Sequence, residues 1–238
     1  MRVTIVGTGR MGTIIREIVE SREDMEVVAY TDDQEELAVS PAADVVIDFS
    51  HVSLLPAVDA YVRRTGAALV SGTTGYTDAD MDALRALGEE TAVLYSANYS
   101  LGVAALRRAS VMVADALAGF DIEIVETHHN QKADAPSGTA KMLLEAINAD
   151  GSFDPVYGRE GMCGKRNPRE IGVHAVRGGT VAGVHTVSFF GEDEEVALTH
   201  RATSRRIFAT GAVAAAQKLA QRPAGFYTFD QVMFGEEN

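Results

Sequence analysis

The sequence is poor in cysteine and lysine and contains no long apolar run. Cys163 is its single cysteine, so no disulfide can form within the chain, as is typical of proteins in a reducing cytosol. No apolar run approaches the roughly 20 residues that a membrane helix requires. The first residues already read as a strand and lack a signal-peptide pattern, so we expect a cytoplasmic protein without a membrane partner.

Positive charge is scarce relative to negative charge. The chain carries 21 Lys and Arg against 34 Asp and Glu, a formal net charge of -13. This balance argues against a nucleic-acid partner, because binding to phosphates requires clustered cations. Adaptation to high salt and an ordinary acidic composition are alternative explanations of this charge. With 238 residues, of which 46% are hydrophobic, the chain has room for one large domain or two modest ones.

The N-terminal segment has the pattern of a dinucleotide-binding unit. An apolar strand leads into glycines at positions 7, 9 and 12 and then into an amphipathic helix. In this context a G-x-G-x-x-G turn lets the backbone approach a pyrophosphate at the helix N-terminus. Glycines that serve only helix–strand packing are the alternative. The predicted cofactor-binding residues of this loop are Gly7, Thr8, Gly9, Arg10, Met11 and Gly12.

Two acidic residues follow the second apolar run. Asp32 stands twenty residues after Gly12, where a carboxylate would accept hydrogen bonds from the adenosine ribose. Asp32 and Asp33 together would repel the ribose phosphate of NADPH. We therefore predict NADH or NADPH as cofactor, with NADH favoured, although Arg10 could partly offset the repulsion.

Strands and helices alternate along the next segment. Apolar strands are predicted at Ala43 to Phe49, Ala67 to Ser71 and Ala92 to Tyr95, with helices at Val52 to Arg64 and Asp78 to about Gly88. This alternation predicts an α/β fold with an N-terminal Rossmann-like, doubly wound parallel sheet. Ligands of such sheets bind beyond the carboxyl ends of the strands.

After Asn98 the pattern changes to that of a second, α+β domain. A helix is predicted from Ser100 to Leu117, with an apolar face through Leu101, Ala105 and Val113. A half-exposed strand follows at 120–125, and 151–169 reads as a long loop.

Three extended segments, 171–177, 181–190 and 194–202, then predict a mixed or antiparallel sheet. We interpret His174, His185 and His200 in these segments as structural or surface residues. A helix over 204–220 and a short aromatic segment, packing on the first domain, complete the chain. The predicted domains are residues 1–99 with 205–238, and residues 100–204.

The densest chemistry lies between Glu126 and Ala140, which reads E-T-H-H-N-Q-K-A-D-A-P-S-G-T-A. His128, His129 and Lys132 offer two imidazoles and an amine. Ser137 is a good N-cap, so we predict that a helix begins at Gly138 with the N–H groups of residues 138–140 free to bind an anion. This combination suggests a small acidic substrate that is protonated while its carboxylates are held.

Plainer explanations of the same residues are a surface histidine pair and an ordinary helix start. Metal binding is not predicted, because adjacent residues on a strand point to opposite faces and no cluster of further ligands is present.

The stretch H-H-x-x-K-x-D-A-P-S-G-T-A closely resembles the substrate motif of the 4-hydroxy-tetrahydrodipicolinate reductase family, also called dihydrodipicolinate reductase. The resemblance extends over nearly the whole chain, including R-E-G at 159–161 and T-H-R-A-T-S-R at 199–205. It implies hydride transfer from NAD(P)H to a cyclic unsaturated dicarboxylate in the diaminopimelate route of lysine biosynthesis. It also implies that the second domain binds the substrate and that its sheet builds a homotetramer.

Residue roles follow from the same resemblance. His128 would donate the proton with help from Lys132. The substrate carboxylates would meet His129, Ser137, Gly138, Thr139 and Arg205. Segments similar to D-F-(S/T), G-T-T-G and A-N-(F/Y)-S would contact the nicotinamide half of the cofactor, and they contain Phe49, Gly72, Thr73, Thr74, Ser96, Ala97, Asn98 and Tyr99. The family often places an arginine where this chain has Asp33, which bears on the use of NADPH.

Two rival functions remain on the sequence alone. An amino-acid dehydrogenase could share the architecture, but it would not need a cradle for two carboxylates. A non-catalytic NAD(H)-binding redox sensor would keep the glycines and Asp32 but would not need His128 and Lys132.

Overall fold

The computed structural model describes residues 1–235 and divides the chain into two compact units. Unit 1 comprises Met1–Leu101 and the chain from Arg206 onward, and unit 2 comprises Gly102–Arg205. The boundaries predicted from the sequence lie after residues 99 and 204. Within residues 1–235, no helix combines the length and the apolar character needed to cross a membrane.

The helices and strands, in chain order, have the following bounds. The first part of unit 1 contains β1 (Arg2–Val6), α1 (Arg10–Glu20), β2 (Glu26–Thr31), α2 (Gln34–Val39), β3 (Val45–Asp48), a 3-10 turn (Val52–Leu54), α3 (Leu55–Thr65), β4 (Ala68–Ser71), α4 (Asp78–Leu87) and β5 (Ala92–Tyr95). The chain continues with α5 (Leu101–Ala116), β6 (Asp121–His128), α6 (Gly138–Ile147), β7 (Asp154–Tyr157), β8 (Glu170–Arg177), β9 (Gly183–Phe190) and β10 (Glu195–Ala202). It returns to unit 1 with α7 (Arg206–Leu219), β11 (Gly225–Tyr227) and α8 (Phe229–Phe234).

Unit 1 is built on a six-stranded sheet with the order β11-β5-β4-β3-β1-β2. Every neighbouring pair in it is parallel. All residues of β3 and β4 are buried, as expected for a parallel sheet covered on both faces. The aromatic C-terminal segment supplies β11, which pairs with β5. The predicted Rossmann-like sheet is therefore confirmed, with one additional strand.

Unit 2 contains a five-stranded mixed sheet with the order β10-β9-β6-β8-β7. The β10/β9 and β9/β6 pairs are antiparallel, and the β6/β8 and β8/β7 pairs are parallel. Alternate residues of β6 are buried, so one face of this strand packs on an apolar core that includes Ile122, Ile124, Leu143, Val187 and Phe189. The predicted mixed sheet is confirmed.

Three local predictions for unit 2 are wrong. Helix α5 buries Val103, Leu106 and Ser110, which share a face at i, i+3 and i+7. Of the predicted apolar face, Leu101 and Ala105 are exposed, and only Val113 packs against the core of unit 2. The side chain of Leu101 is 46% exposed.

The predicted loop over 151–169 contains strand β7, whose Pro155 is tolerated because β7 lies at the sheet edge. Strand β6 also extends beyond the predicted end at Val125 to His128. Glu126 and His128 therefore lie two residues apart on the buried face of a strand, and not in a turn.

Candidate active site

The glycine loop of unit 1 has the geometry of an anion-binding turn. Gly7 has a φ of +106°, and a Cβ on it would lie 2.4 Å from the Phe49 carbonyl oxygen. A Cβ on Gly12 would lie 1.8 Å from the Gly7 carbonyl oxygen. Both positions therefore require glycine for the turn to close.

Gly9 serves a different purpose in the same turn. It is the N-cap residue of α1 and makes no side-chain capping hydrogen bond, and no atom lies within 4 Å of a Cβ built on it. The space beside Gly9 at the start of α1 is therefore open, and the helix dipole favours negative charge there. These residues fit a dinucleotide pyrophosphate.

The two acidic residues after β2 differ in their surroundings. Asp32 is exposed and accepts a hydrogen bond from the Thr8 hydroxyl. Asp33 is the N-cap of α2, and its Oδ1 accepts the N–H groups of Glu35 at 2.8 Å and Glu36 at 2.9 Å. The Asp33 carboxylate therefore has a structural role that the sequence analysis did not recognise. Asp32 remains the carboxylate available to a ribose.

The loops that follow four strands lie side by side, because hydrogen bonds continue past the strand ends. The Phe49 N–H donates to the Val6 carbonyl at 2.9 Å, the Gly72 N–H to the Asp48 carbonyl at 2.8 Å, and the Ser96 N–H to the Ser71 carbonyl at 3.2 Å. The predicted nicotinamide-contact segments are thereby brought to one edge of the sheet. In these segments Thr74 and Ala97 are exposed, and Phe49, Gly72, Ser96 and Asn98 are half-buried.

A buried carboxylate, Asp48, holds these loops and was missed from the sequence. Its side chain is 1% exposed and accepts hydrogen bonds from four hydroxyl groups. The donors are Ser50 at 2.5 Å, Thr73 at 3.0 Å, Tyr76 at 3.2 Å and Ser71 at 3.2 Å. Burial raises the pKa of Asp48, and the hydroxyl hydrogen bonds oppose that shift. An acidic residue at the end of an apolar strand was the available signal, since a buried charge needs partners.

Two predicted cofactor contacts have buried side chains. Thr73 donates to Asp48 and accepts the Ser50 N–H at 3.0 Å. Tyr99 is 1% exposed and packs against Phe49, with the two ring centroids 5.4 Å apart. Its hydroxyl donates a hydrogen bond to the Ser71 carbonyl oxygen at 2.7 Å. Any contact from Thr73 or Tyr99 to a cofactor would use backbone atoms, because their side chains hold the loops in place.

The site in unit 2 is organised around the Glu126 carboxylate, which is completely buried. Arg177 donates to both of its oxygens at 2.8 Å, and His128 Nδ1 lies 2.6 Å from Oε2. The Ser137 N–H donates to Oε1 at 2.9 Å. Burial alone would raise the pKa of Glu126, but the hydrogen bonds from Arg177, His128 and Ser137 outweigh it and lower the pKa.

His185 adds a second imidazole to this arrangement. Its ring lies edge-on to the His128 ring, with centroids 5.1 Å apart, and its Nε2 is 2.9 Å from the Ser137 hydroxyl oxygen. Burial and the neighbouring His128 lower the pKa of His185 to about 4, so the ring is neutral at pH 7. His185 thus contacts two of the predicted site residues, His128 and Ser137. This buried position agrees with the structural role predicted for it, but its contact with those two residues was not predicted.

The start of α6 largely follows the prediction. Ser137 is the N-cap and accepts the Ala140 N–H at 3.2 Å. The Ala140 N–H, predicted to be free, is therefore occupied, which corrects that part of the predicted anion site. A Cβ on Gly138 would have no atom within 4 Å, so the first turn opens to free space at that residue.

Lys132 and His129 lie on the loop between β6 and α6. Lys132 Nζ is 2.8 Å from Asp134 Oδ1, and its side chain is 20% exposed while that of Asp134 is 57% exposed. This hydrogen bond lowers the pKa of Asp134. Arg177 also donates to the Asp134 carbonyl at 2.7 Å. His129 is half-buried and is fixed through its N–H, which donates to the Val181 carbonyl at 2.8 Å.

The structure thus brings His128, Lys132 and Ser137 into one network of contacts around Glu126, Arg177 and Asp134. Arg205 is exposed at the C-terminal end of unit 2 and makes no hydrogen bond or ion pair with the other residues of 1–235. Across the same residues, no group of three or more His, Cys, Asp and Glu side chains has a metal-binding arrangement.

Comparison with known proteins decides the family. Residues 1–99 match the family described as dihydrodipicolinate reductase, N-terminus, and residues 102–233 match dihydrodipicolinate reductase, C-terminus. The chain belongs to the dihydrodipicolinate reductase family. The 4-hydroxy-tetrahydrodipicolinate reductase of Brachyspira hyodysenteriae is 40% identical over 235 residues, covering 98% of this chain and all of the relative. That of Exiguobacterium sibiricum is 38% identical over 245 residues, covering 100% of this chain and 98% of the relative.

Solved structures support the fold. A dipicolinate-bound dihydrodipicolinate reductase from Paenisporosarcina sp. TG-14 has a TM-score of 0.81 at 24% identity, covering 98% of this chain and 99% of that chain. An amine dehydrogenase from Mycobacterium smegmatis has a TM-score of 0.64 at 12% identity, covering 100% of this chain and 97% of that chain. Membership of the reductase family confirms the predicted function: a nicotinamide-dependent oxidoreductase of diaminopimelate and lysine biosynthesis.

Proposed function

We propose that the loop from Gly7 to Gly12 and Asp32 hold the cofactor, and that unit 2 binds a cyclic unsaturated dicarboxylate at the first turn of α6. A bound NADH or NADPH would supply the hydride. The observation that carries the proposal is the Glu126–His128 pair placed beside the Ser137 cap. A proton-transfer group and an anion-binding helix start are thus anchored by one buried carboxylate.

His128 is the proton donor in this proposal. The Glu126 carboxylate accepts from Nδ1, so Nε2 is the ring nitrogen left to exchange a proton with substrate. A carboxylate behind an imidazole also fixes the ring orientation. Gly183 supports the assignment, because a Cβ on it would lie 3.1 Å from His128 Nε2 and would crowd that nitrogen.

The substrate carboxylates would be bound by backbone, hydroxyl and cation together. Gly138 and Thr139 contribute the first turn of α6, and Ser137 contributes its hydroxyl. Lys132 and His129 add positive charge or hydrogen-bond donors from the preceding loop, and Arg205 is the further cation that the family motif suggests. Charge-assisted hydrogen bonds of this kind are roughly twice as strong as neutral ones.

NADH is the cofactor that the loop after β2 favours. The exposed Asp32 carboxylate would repel a 2′-phosphate, and Asp33 adds a second negative charge that is turned toward α2. Arg10, at the start of α1, makes no ion pair with the described residues and offers partial compensation. We therefore expect a lower KM for NADH than for NADPH.

A homotetramer assembled through unit 2 is also part of the proposal. The face of the mixed sheet opposite its core exposes Val125 at 37%, Val176 at 47% and Phe190 at 40%. Exposed apolar side chains on one sheet face favour a protein–protein contact there.

The test is NADH oxidation followed by absorbance, with substrate generated by a coupled dihydrodipicolinate synthase, in low and in molar KCl. NADPH is compared in the same assay. We expect Lys132→Ala to lower kcat/KM by about 100-fold or more while NADH binding is retained. Lys165→Ala, which changes an exposed lysine of the same unit, is the matched control and should leave kcat/KM unchanged. Wild-type turnover by Lys132→Ala would contradict the assigned role. Absence of oxidation by the wild type, with NADH still bound, would favour a redox sensor.

A further inference from the structure

The Ser137 hydroxyl has two neighbours that limit what it can do. Its oxygen accepts the Ala140 N–H at 3.2 Å, as an N-cap oxygen should, and it lies 2.9 Å from His185 Nε2. A hydroxyl has one hydrogen to donate and two lone pairs that can accept. The direction of the His185 hydrogen bond therefore decides whether the Ser137 hydrogen is used inside the protein.

The other nitrogen of His185 settles that direction. His185 Nδ1 is buried and has no hydrogen-bond partner among residues 1–235. A neutral ring carries its single hydrogen either on Nδ1 or on Nε2. If Nδ1 carried it, a buried N–H would have no acceptor with or without ligand. In the other tautomer Nδ1 keeps an unpaired lone pair, and the hydrogen left over is that of the Ser137 hydroxyl, which a carboxylate bound at the open first turn of α6 can accept. Buried donors without partners are the rarer case, so Nε2 carries the hydrogen.

We infer that His185 is a positioning residue whose Nε2–H donates to the Ser137 hydroxyl oxygen, so that the hydroxyl hydrogen is directed to a carboxylate bound at the first turn of α6. Both lone pairs of the Ser137 oxygen are then occupied, one by His185 and one by Ala140. The hydrogen has no role within the N-cap and remains for an anion. This inference rests on the proposed binding of a dicarboxylate at that turn.

The strand pairing holds His185 where this requires it. His185 lies opposite Glu126 in the antiparallel β6/β9 pair, and Glu126 accepts the Ser137 N–H. The backbone and the hydroxyl of Ser137 are therefore anchored from two neighbouring strands at once. Ser137 and His185 are respectively 2% and 4% exposed, so solvent competes little for this hydrogen bond.

Binding of dipicolinate to the full chain, measured by calorimetry with NADH present, tests the inference without turnover. We expect His185→Phe, which keeps a ring and removes the donor, to weaken binding about tenfold. His185→Gln, which can place an amide N–H near the Nε2 position, should retain affinity within about threefold. In turnover assays His185→Phe should raise KM with little change in kcat, because the hydroxyl acts in binding.

A double-mutant cycle separates positioning from packing. If His185 acts through Ser137, then His185→Phe should cause no further loss of dipicolinate affinity in a Ser137→Ala background. Equal losses in both backgrounds would overturn the inference, as would unchanged affinity in His185→Phe alone.

Histidine ¹⁵N chemical shifts of the wild type with dipicolinate bound report the tautomer directly, and the His185 signal is assigned from its absence in the spectrum of His185→Gln. We expect an unprotonated Nδ1 and a protonated Nε2 at pH 7. An Nδ1-protonated ring would overturn the inference while leaving the reductase function standing. Loss of NADH oxidation in the wild type, with the tautomer and dipicolinate binding as expected, would overturn the proposed function alone.

Discussion

Glu126→Gln removes the charge on which the unit 2 site is built. Each carboxylate oxygen of Glu126 accepts from two groups: Oε2 from Arg177 and His128, and Oε1 from Arg177 and Ser137. A glutamine amide keeps one of these acceptors and places an NH₂ group at the other. Whichever way the amide is turned, its N–H groups face other donors, so at least one buried hydrogen bond is lost and Arg177 loses its counter-ion.

The expected loss of stability follows from the burial of the pair. Removing one partner of a buried ion pair costs about 3–5 kcal/mol. The Arg177 side chain is 21% exposed and can recover some hydration, so we expect a loss near the lower end, about 3 kcal/mol in the free energy of unfolding. Glu20→Gln is the matched control, because Glu20 pairs with Arg16 at the surface with side chains 48% and 46% exposed. That change should cost far less than Glu126→Gln, because exposed ion pairs contribute little to stability.

The assay is urea denaturation at pH 7, followed by circular dichroism, for wild type, Glu126→Gln and Glu20→Gln. Equal stability losses in the two variants would refute the reasoning, because the argument depends on burial. A Glu126→Gln protein as stable as the wild type would refute it as well.

The pH dependence supplies an independent check with a definite sign. The pKa of Glu126 is lowered below 4.5 in the folded chain, so the unfolded chain takes up this proton first as the pH falls. The stability that the ionised carboxylate contributes is therefore present above pH 4.5 and is lost as the pH falls through the folded-state pKa. The difference in unfolding free energy between wild type and Glu126→Gln should narrow in acid. A difference that widens below pH 4.5 would contradict the assignment.

Two further predictions concern the glycine loop and the assembly. Gly12→Ala should destabilise unit 1 and abolish NADH binding, since its Cβ would lie 1.8 Å from the Gly7 carbonyl oxygen. Gly9→Ala should keep the melting temperature of the wild type and weaken NADH binding, because its Cβ enters only the open space at α1. Thermal melts and NADH titrations of both variants distinguish these outcomes. If the protein is a tetramer, light scattering should give a molar mass four times that of one chain. Val176→Glu places a charge on the exposed sheet face and should reduce that molar mass. A monomeric wild type would refute the assembly.

Elements with local signals could be predicted from the sequence. Thr77 caps α4 with a capping box to Asp80, and Ser137 caps α6, because an N-cap depends on residues within one turn of each other. The parallel sheet also follows from a local signal, since buried strands read as continuous apolar runs. The face of α5 was misassigned because apolar residues occur around much of that helix, and the period alone does not decide which of them pack inward.

The partners of Glu126 could not be predicted, because they depend on strand pairing. Arg177 lies 51 residues away and pairs with His128 in the β6/β8 register, while His185 faces Glu126 across β6/β9. Neither register can be read from the two strands separately. One signal was available: a glutamate two residues before a histidine on the buried face of a strand must have polar partners, because an unpaired buried charge is too costly.

The two binding regions differ in what they require of the sequence. In unit 1, the proposed anion binding would rely on backbone N–H groups and on space left by glycine, so it would demand few particular side chains. An amine dehydrogenase with only 12% identity shares this overall fold, so the architecture itself demands few particular residues. In unit 2, the site relies on a buried carboxylate that needs Arg177, His128 and the Ser137 N–H together, since a half-satisfied buried network is unstable. A change in one of these side chains leaves its partners without their hydrogen bonds. The motif around His128 is therefore more specific than the glycine loop, and it carries the resemblance to the family.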